Sequence, residues 1–328
     1  MPVHPHSVPA AFRLKLIRMA QAVHDFHHLT TAARRLAAWF ARPQPLAIGC
    51  LVLLAGLGWV YLGLMLAGME PAALPSPGAG LPVFDILADR IGLGGWSRAA
   101  LETLCRPTFG AADAGASFAG AATVFLMWGA MVLAMMLPTA GPMILTYAQM
   151  ADTAARRGER AASPVGLIAG YGLVWLGFAM VAAVLQMALT HAALLDPSMA
   201  PASGLFSGAV FLAAGAYQFS ALKHACVTRC QQPLPFFVAN WSDQPRAVFR
   251  LGVRQGLYCL GCCWAMMLIM FAVGVMNVIW MAALGFIMAA EKIFTTVRFS
   301  RLTGAAFAAI GIAFIAAAVI AHWPVLAG

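Results

Sequence analysis

Charge is what this sequence has least of. Asp, Glu, Lys and Arg make up 9% of its 328 residues, where soluble domains carry roughly 25%. So few charges cannot cover a water-facing surface, which excludes a soluble globular protein unless its outside is apolar. Acidic residues are scarcer still, 11 against 20 basic. None sits in the middle of an apolar run, so the spans hold no evident carboxylate for proton coupling. The chain has no Walker-type GxxxxGK(S/T) loop and no phosphorylated-Asp signature, so it is not a recognisable primary pump, and nothing else in it reads as an enzyme. The net charge of +9 arises from Lys and Arg placed between apolar runs. Without a basic block interleaved with aromatics, no nucleic-acid partner is expected.

What the chain has in abundance is apolar length: 62% of its residues are hydrophobic. Runs long enough to span a bilayer lie at about 46–69, 124–149, 164–189, 204–222, 256–274, 276–291 and 304–322. Turn and charge signals fall between them, at Pro71–Pro82, Arg156-Arg157-Gly158, Asp196-Pro197 and Gln231–Arg250. The stretch Gly256–Ala290 reads either as one very long helix or as a hairpin folded at Gly274–Asn277. Basic residues decide. Lys plus Arg number six in 1–45, three in 70–120 beside five acids, three in 150–163, none in 190–203, five in 223–255 and three in 292–303. Rich and poor loops alternate only if 256–291 is a hairpin. The expectation is an all-α polytopic transmembrane bundle of about seven helices, N-terminus cytoplasmic, in a bacterial cytoplasmic (inner) membrane with lipid around it. The sixth span is short, which leaves a re-entrant helix as the alternative.

Two regions flank this plan. Residues 1–45 are expected to form a cytoplasmic basic amphipathic segment on the anionic leaflet rather than a cleaved signal peptide. They carry His4, His6, His24, His27 and His28, compatible with a surface helix or with metal sensing. The transmembrane domain covers 46–323 and includes an extracytoplasmic loop at about 70–120, rich in Gly, Pro and Ala, which holds the isolated Cys105.

The chemistry-bearing residues are sulfurs. In Cys259-Leu-Gly-Cys262-Cys263-Trp-Ala-Met266-Met267-Leu-Ile-Met270, helical geometry sets Cys259, Cys263, Met266 and Met270 within about a 60° arc, with Cys262 and Met267 on its flanks. Met127, Met131 and Met135 repeat at i, i+4, i+8, just before Pro138 and Pro142. Cys226 and Cys230, also i, i+4, follow Lys223-His224 and form a third candidate, with His224 as an optional ligand. Methionine stripes serve packing as readily as ligation, and a lone Cys such as Cys50 is usually a small hydrophobe. A CxxCC run aligned with two Met goes beyond that. Thiolates and thioethers select soft ions, above all Cu(I), while thiolates also suit zinc. The metal candidates are Cys259, Cys262, Cys263, Met266, Met270, Cys226, Cys230, Met131 and Met135. Glu291-Lys292 reads as a helix end at the interface, explained by snorkelling or pairing.

Four stretches carry a resemblance. They are Met127-Trp-Gly-Ala-Met131-Val-Leu-Ala-Met135-Met136-Leu-Pro138-Thr-Ala-Gly-Pro142-Met143; Tyr217-Gln218 with Lys223-x-x-Cys226-x-x-x-Cys230; Tyr258-Cys259-Leu-Gly261-Cys262-Cys263-Trp264-Ala-Met266-Met267; and Gly274-Val-Met276-Asn277 running to Glu291-Lys292. Over roughly residues 120–300 the chain resembles an uncharacterised bacterial family described as predicted metal-binding integral membrane proteins. The resemblance implies metal binding and no particular transport reaction.

Three functions follow as expectations. The first is a Cu(I)-handling permease or metal-transfer subunit with a Met/Cys pathway. An inside-negative potential of about 2.3 kcal/mol per 100 mV would favour import of the cation. The second is a thiol–disulfide carrier using Cys259-x-x-Cys262, and the third a non-transporting factor that loads copper into another protein. A metal-delivery protein is the partner expected.

Overall fold

The computed structural model describes residues 43–67, 118–195, 201–294 and 296–326. The His-bearing N-terminal segment, nearly all of the 70–120 loop, Cys105 and the Asp196-Pro197 turn lie outside the described residues.

Among the described residues every regular element is a helix, beside one isolated bridge between Leu195 and Pro201. They are α1 (Pro43–Ala67), α2 (Phe118–Arg156), α3 (Pro164–His191), α4 (Gly204–Gln218), α5 (Ala221–Gln231), α6 (Pro233–Ala239), α7 (Pro245–Leu268), α8 (Met270–Val273), α9 (Val278–Ile293) and α10 (Val297–Leu326). Their starts are written locally. Ser163, Ser203, Ser220 and Asn277 each accept a hydrogen bond from a first-turn N–H of α3, α4, α5 and α9. Pro164 and Pro245 occupy first-turn positions, where a missing N–H costs nothing. Gly158, at φ 76°, closes α2.

Among the described residues five helices are long and apolar enough to cross a membrane: α1, α2, α3, α7 extended through α8, and α10. A sixth is gained if α4 and α5, bent by 65° at Phe219-Ser220, count as one span. The chain is thus an all-helical, multi-pass membrane protein. The expected run at 204–222 stops at that bend, so Cys226 and Cys230 ride on a separate helix, α5. The expected 276–291 span is α9, with 16 residues.

The 256–291 region is a hairpin. Gly274 takes φ 94°, a conformation that favours glycine. Beyond it Asn277 caps α9 and its amide donates to Val273 O. Because α9 runs back along α7, Lys292 near its end reaches Cys259.

Close crossings hold the helices together. A Cβ on Gly170 or Gly252 would lie less than 3 Å from the facing backbone of α7 or α3, so these two glycines let α3 and α7 touch main chain to main chain. Gly208 and Gly215 do the same for α4 against Gly304 and Gly311 of α10. Pro138 cannot hydrogen-bond the carbonyl four residues back, and Trp59 of α1 donates its indole N–H to that freed Ala134 oxygen at 3.1 Å. Apolar faces of α1, α3 and α10 point outward, with Leu53, Val181 and Ile320 among the most exposed residues. In water they would be a liability; against lipid they are ordinary.

Candidate metal centre

Among the described residues one group of His, Cys, Asp or Glu can converge on a metal ion: Cys259, Cys262 and Cys263, all buried, with sulfurs within 4.8 Å of one another. A thiolate-bound metal sits ~2.3 Å from sulfur, which places three ligating sulfurs about 4 Å apart, so small rotamer changes close the set on an ion. The helix supplies the convergence. Cys259 and Cys263 are one turn apart, and Cys262 packs beside Cys263 with the two sulfurs at 3.2 Å. The Cys262 thiol donates to the Cys259 carbonyl at 3.1 Å.

The surroundings are polar in a way the sequence did not suggest. Lys292 donates to Cys259 Sγ at 3.0 Å and to Thr139 Oγ1 at 2.6 Å. Tyr171 Oη lies 3.0 Å from the same sulfur and donates to the Met136 carbonyl at 3.1 Å. Thr139 donates to that carbonyl too, at 2.9 Å. Cys259 is therefore gripped from α3 and α9, whose two side chains are both anchored on α2, and a cation faces it. A metal-bound thiolate at Cys259 would meet the positive charge of this ammonium.

Beside Cys259 lies a cavity of about 50 Å³ whose lining includes Met143, Tyr171, Cys230, Gln255 and Lys292. Lys223 and Glu291 form a fully buried ion pair nearby in the fold, Nζ to Oε2 at 2.6 Å. The expected interfacial helix end is thus split inward: Glu291 pairs with α5 and Lys292 turns to the thiols. The Gln231 amide caps α9, donating to the carbonyls of Glu291 at 2.7 Å and Phe294 at 2.9 Å.

The remaining candidates separate. Cys226 and Cys230 do not share a site. The Cys226 sulfur rests on Gly261, where a Cβ would come within 2.6 Å of it. Cys230 instead faces the cavity and is close enough to Cys262 for the two thiols to interact. His224 is outside the converging group. Met131, Met135, Met266 and Met270 are all buried in the core, with Met135 packed toward Gly285 of α9. Met270 belongs to α8, past the break at Ile269, so the sulfur stripe is not carried by one unbroken helix. Tyr171, Thr139 and Lys292 were missed because each comes from a different helix and none has a spacing relation to Cys259. The one available signal was the Glu291-Lys292 pair of charges at the end of an apolar α9.

A buried three-thiol cluster inside an all-helical membrane bundle defines a soft-metal-handling membrane protein. Residues 125–314 match PpoB2, a copper-chaperone family, and the chain belongs to that family. The match takes in α2 to α9 and most of α10, so both the cysteine cluster and the residues around it lie within it. Comparison with curated proteins and with solved structures gives no match.

Proposed function

We propose that this protein is a membrane Cu(I) chaperone, holding the ion as cargo on Cys259, Cys262 and Cys263 and releasing it to another copper protein. The observation that carries this is the buried three-sulfur cluster with the Lys292 ammonium on one of its thiols. An all-sulfur set without His or carboxylate suits Cu(I), which accepts low coordination, better than zinc, which asks for four ligands. The cavity leads to Cys259, whereas Trp128, Met267, Met270 and Phe271 beyond the cluster are closely packed and buried. A holding site entered from one end fits that packing better than a through-path, so loading is preferred to permeation. In this reading the protein crosses the bacterial inner membrane seven times, N-terminus in the cytoplasm, with α9 as the short sixth span and the thiols toward the cytoplasmic half.

The test is anaerobic Cu(I) titration of full-length protein in detergent, with elemental analysis. The wild type should hold about one Cu(I) per chain at this centre, and the C259S/C262S/C263S variant should lose it. Undiminished tight binding in that variant, or a preference for Zn(II), would sink the assignment. Copper accumulation in proteoliposomes would replace the chaperone by a permease.

A further inference from the structure

Building on the Cu(I)-chaperone reading, we propose that the cavity beside Cys259 is the loading port of the centre and that Cys230 is its exchange ligand, taking Cu(I) from an anionic small-thiol complex and passing it to Cys262. Three sulfurs face this cavity, Met143, Cys230 and Cys259. Cys259 and Cys262 are buried, whereas Cys230 is half-buried and bridges the cavity and Cys262. Cys226 one turn away is half-buried too, but it packs on Gly261 and does not line the cavity.

The lining also selects charge. Lys292 brings an ammonium, and among the described residues no Asp or Glu lines the space and the buried Gln255 amide nitrogen has no hydrogen-bond partner. A buried donor left unpaired is costly, and an arriving acceptor would satisfy it. Cu(I) held by two small thiolates is an anion, so both groups face the right sign. At about 50 Å³ the space takes a metal with one sulfur still attached. It does not take a folded domain.

The transfer balances without redox chemistry. Cys230 replaces one thiolate of the incoming complex, giving its proton to the departing thiolate. The Cu–S bond to Cys230 then breaks as one to Cys262 forms. The Cys262 proton moves to the Cys230 sulfur. The second incoming thiolate then leaves as Cys263 binds and hands it a proton, Cys259 releases its proton to solvent through the cavity as it completes the set, and copper stays Cu(I) throughout.

Arg229 holds α5 in place for this, stacking over Tyr258 of α7 at 4.9 Å and donating to its hydroxyl at 3.0 Å.

Stopped-flow loading of the detergent-solubilised full chain from Cu(I)–glutathione tests the port. C230S should load at least about tenfold more slowly, an extra barrier of roughly 1.4 kcal/mol, yet reach the wild-type endpoint, while C226S loads at the wild-type rate. As a second measurement on unmutated protein, a small haloacetamide should modify Cys230 ahead of Cys259, and loading should slow in proportion. Equal rates for C230S and wild type overturn the port, as does equal slowing by C226S. Loss of the endpoint in C230S would make Cys230 a permanent ligand and also overturn it. A wild type that takes up no Cu(I) overturns the chaperone reading itself and the port with it.

Discussion

Lys292→Met keeps much of the side chain's length and deletes the ammonium that donates to Cys259 Sγ at 3.0 Å and to Thr139 Oγ1 at 2.6 Å. Cu(I) on three thiolates is a dianion, so this neighbouring cation should stabilise the loaded centre. Unit charges at 3.0 Å attract by about 5.5 kcal/mol at an effective dielectric constant near 20. That figure is an upper bound, because the complex spreads its charge over three sulfurs and the ammonium gives up hydration to enter the bundle. Hydrogen bonds to charged groups net about 1.5–3 kcal/mol. Lys292→Met should therefore weaken Cu(I) binding roughly 10–150-fold with stoichiometry unchanged. Lys292→Arg should recover part of the loss. Thr139→Val, which removes the lysine's second partner and one of the two donors to the Met136 carbonyl but leaves the ammonium on Cys259, should cost less than about fivefold. Anaerobic competition against a chromophoric Cu(I) chelator reads all three. A Lys292→Met affinity within about twofold of wild type would refute the electrostatic role and leave Lys292 as a packing residue.

Two further outcomes test the frame around the centre. Breaking the buried pair with Lys223→Met or Glu291→Gln should destabilise the protein by about 3–5 kcal/mol, because the surviving partner is left uncompensated. The double replacement by Met and Leu should be markedly less harmful than either single change in thermal unfolding in detergent, and strict additivity would argue against the pair. Met135→Leu and Met266→Leu conserve volume and should cost less than about 1.5 kcal/mol with Cu(I) stoichiometry intact. Loss of copper from either would make these thioethers ligands of the resting centre.

The helices were largely legible because their causes are local. Long apolar runs marked the spans and the Lys/Arg count of the loops marked the hairpin at Gly274–Asn277; the prolines at the starts of α3 and α7 and the serine caps act just as locally, though they were not read as starts. The bend at Phe219-Ser220 was not legible, since residues 204–222 stay apolar through it. Cys259, Cys262 and Cys263 were legible as a group because one helix carries all three. Cys226 and Cys230 looked equivalent for the same reason, being one turn apart. Only the packing of α5 on α7 separates them, one onto a glycine and the other into a cavity.

The sequence alone determined a helical membrane protein with a soft-metal motif, through composition and periodicity, which depend on neighbours along the chain. Tertiary structure decided what surrounds the motif. Lys292 and Tyr171 reach Cys259 from two other helices, Thr139 braces Lys292 from a third, and Glu291 is drawn inward by Lys223. Contacts to Cys259 from residues 33 and 88 positions away leave no periodic trace, and burial in a low-dielectric bundle is what gives a single ammonium its influence on a neighbouring sulfur.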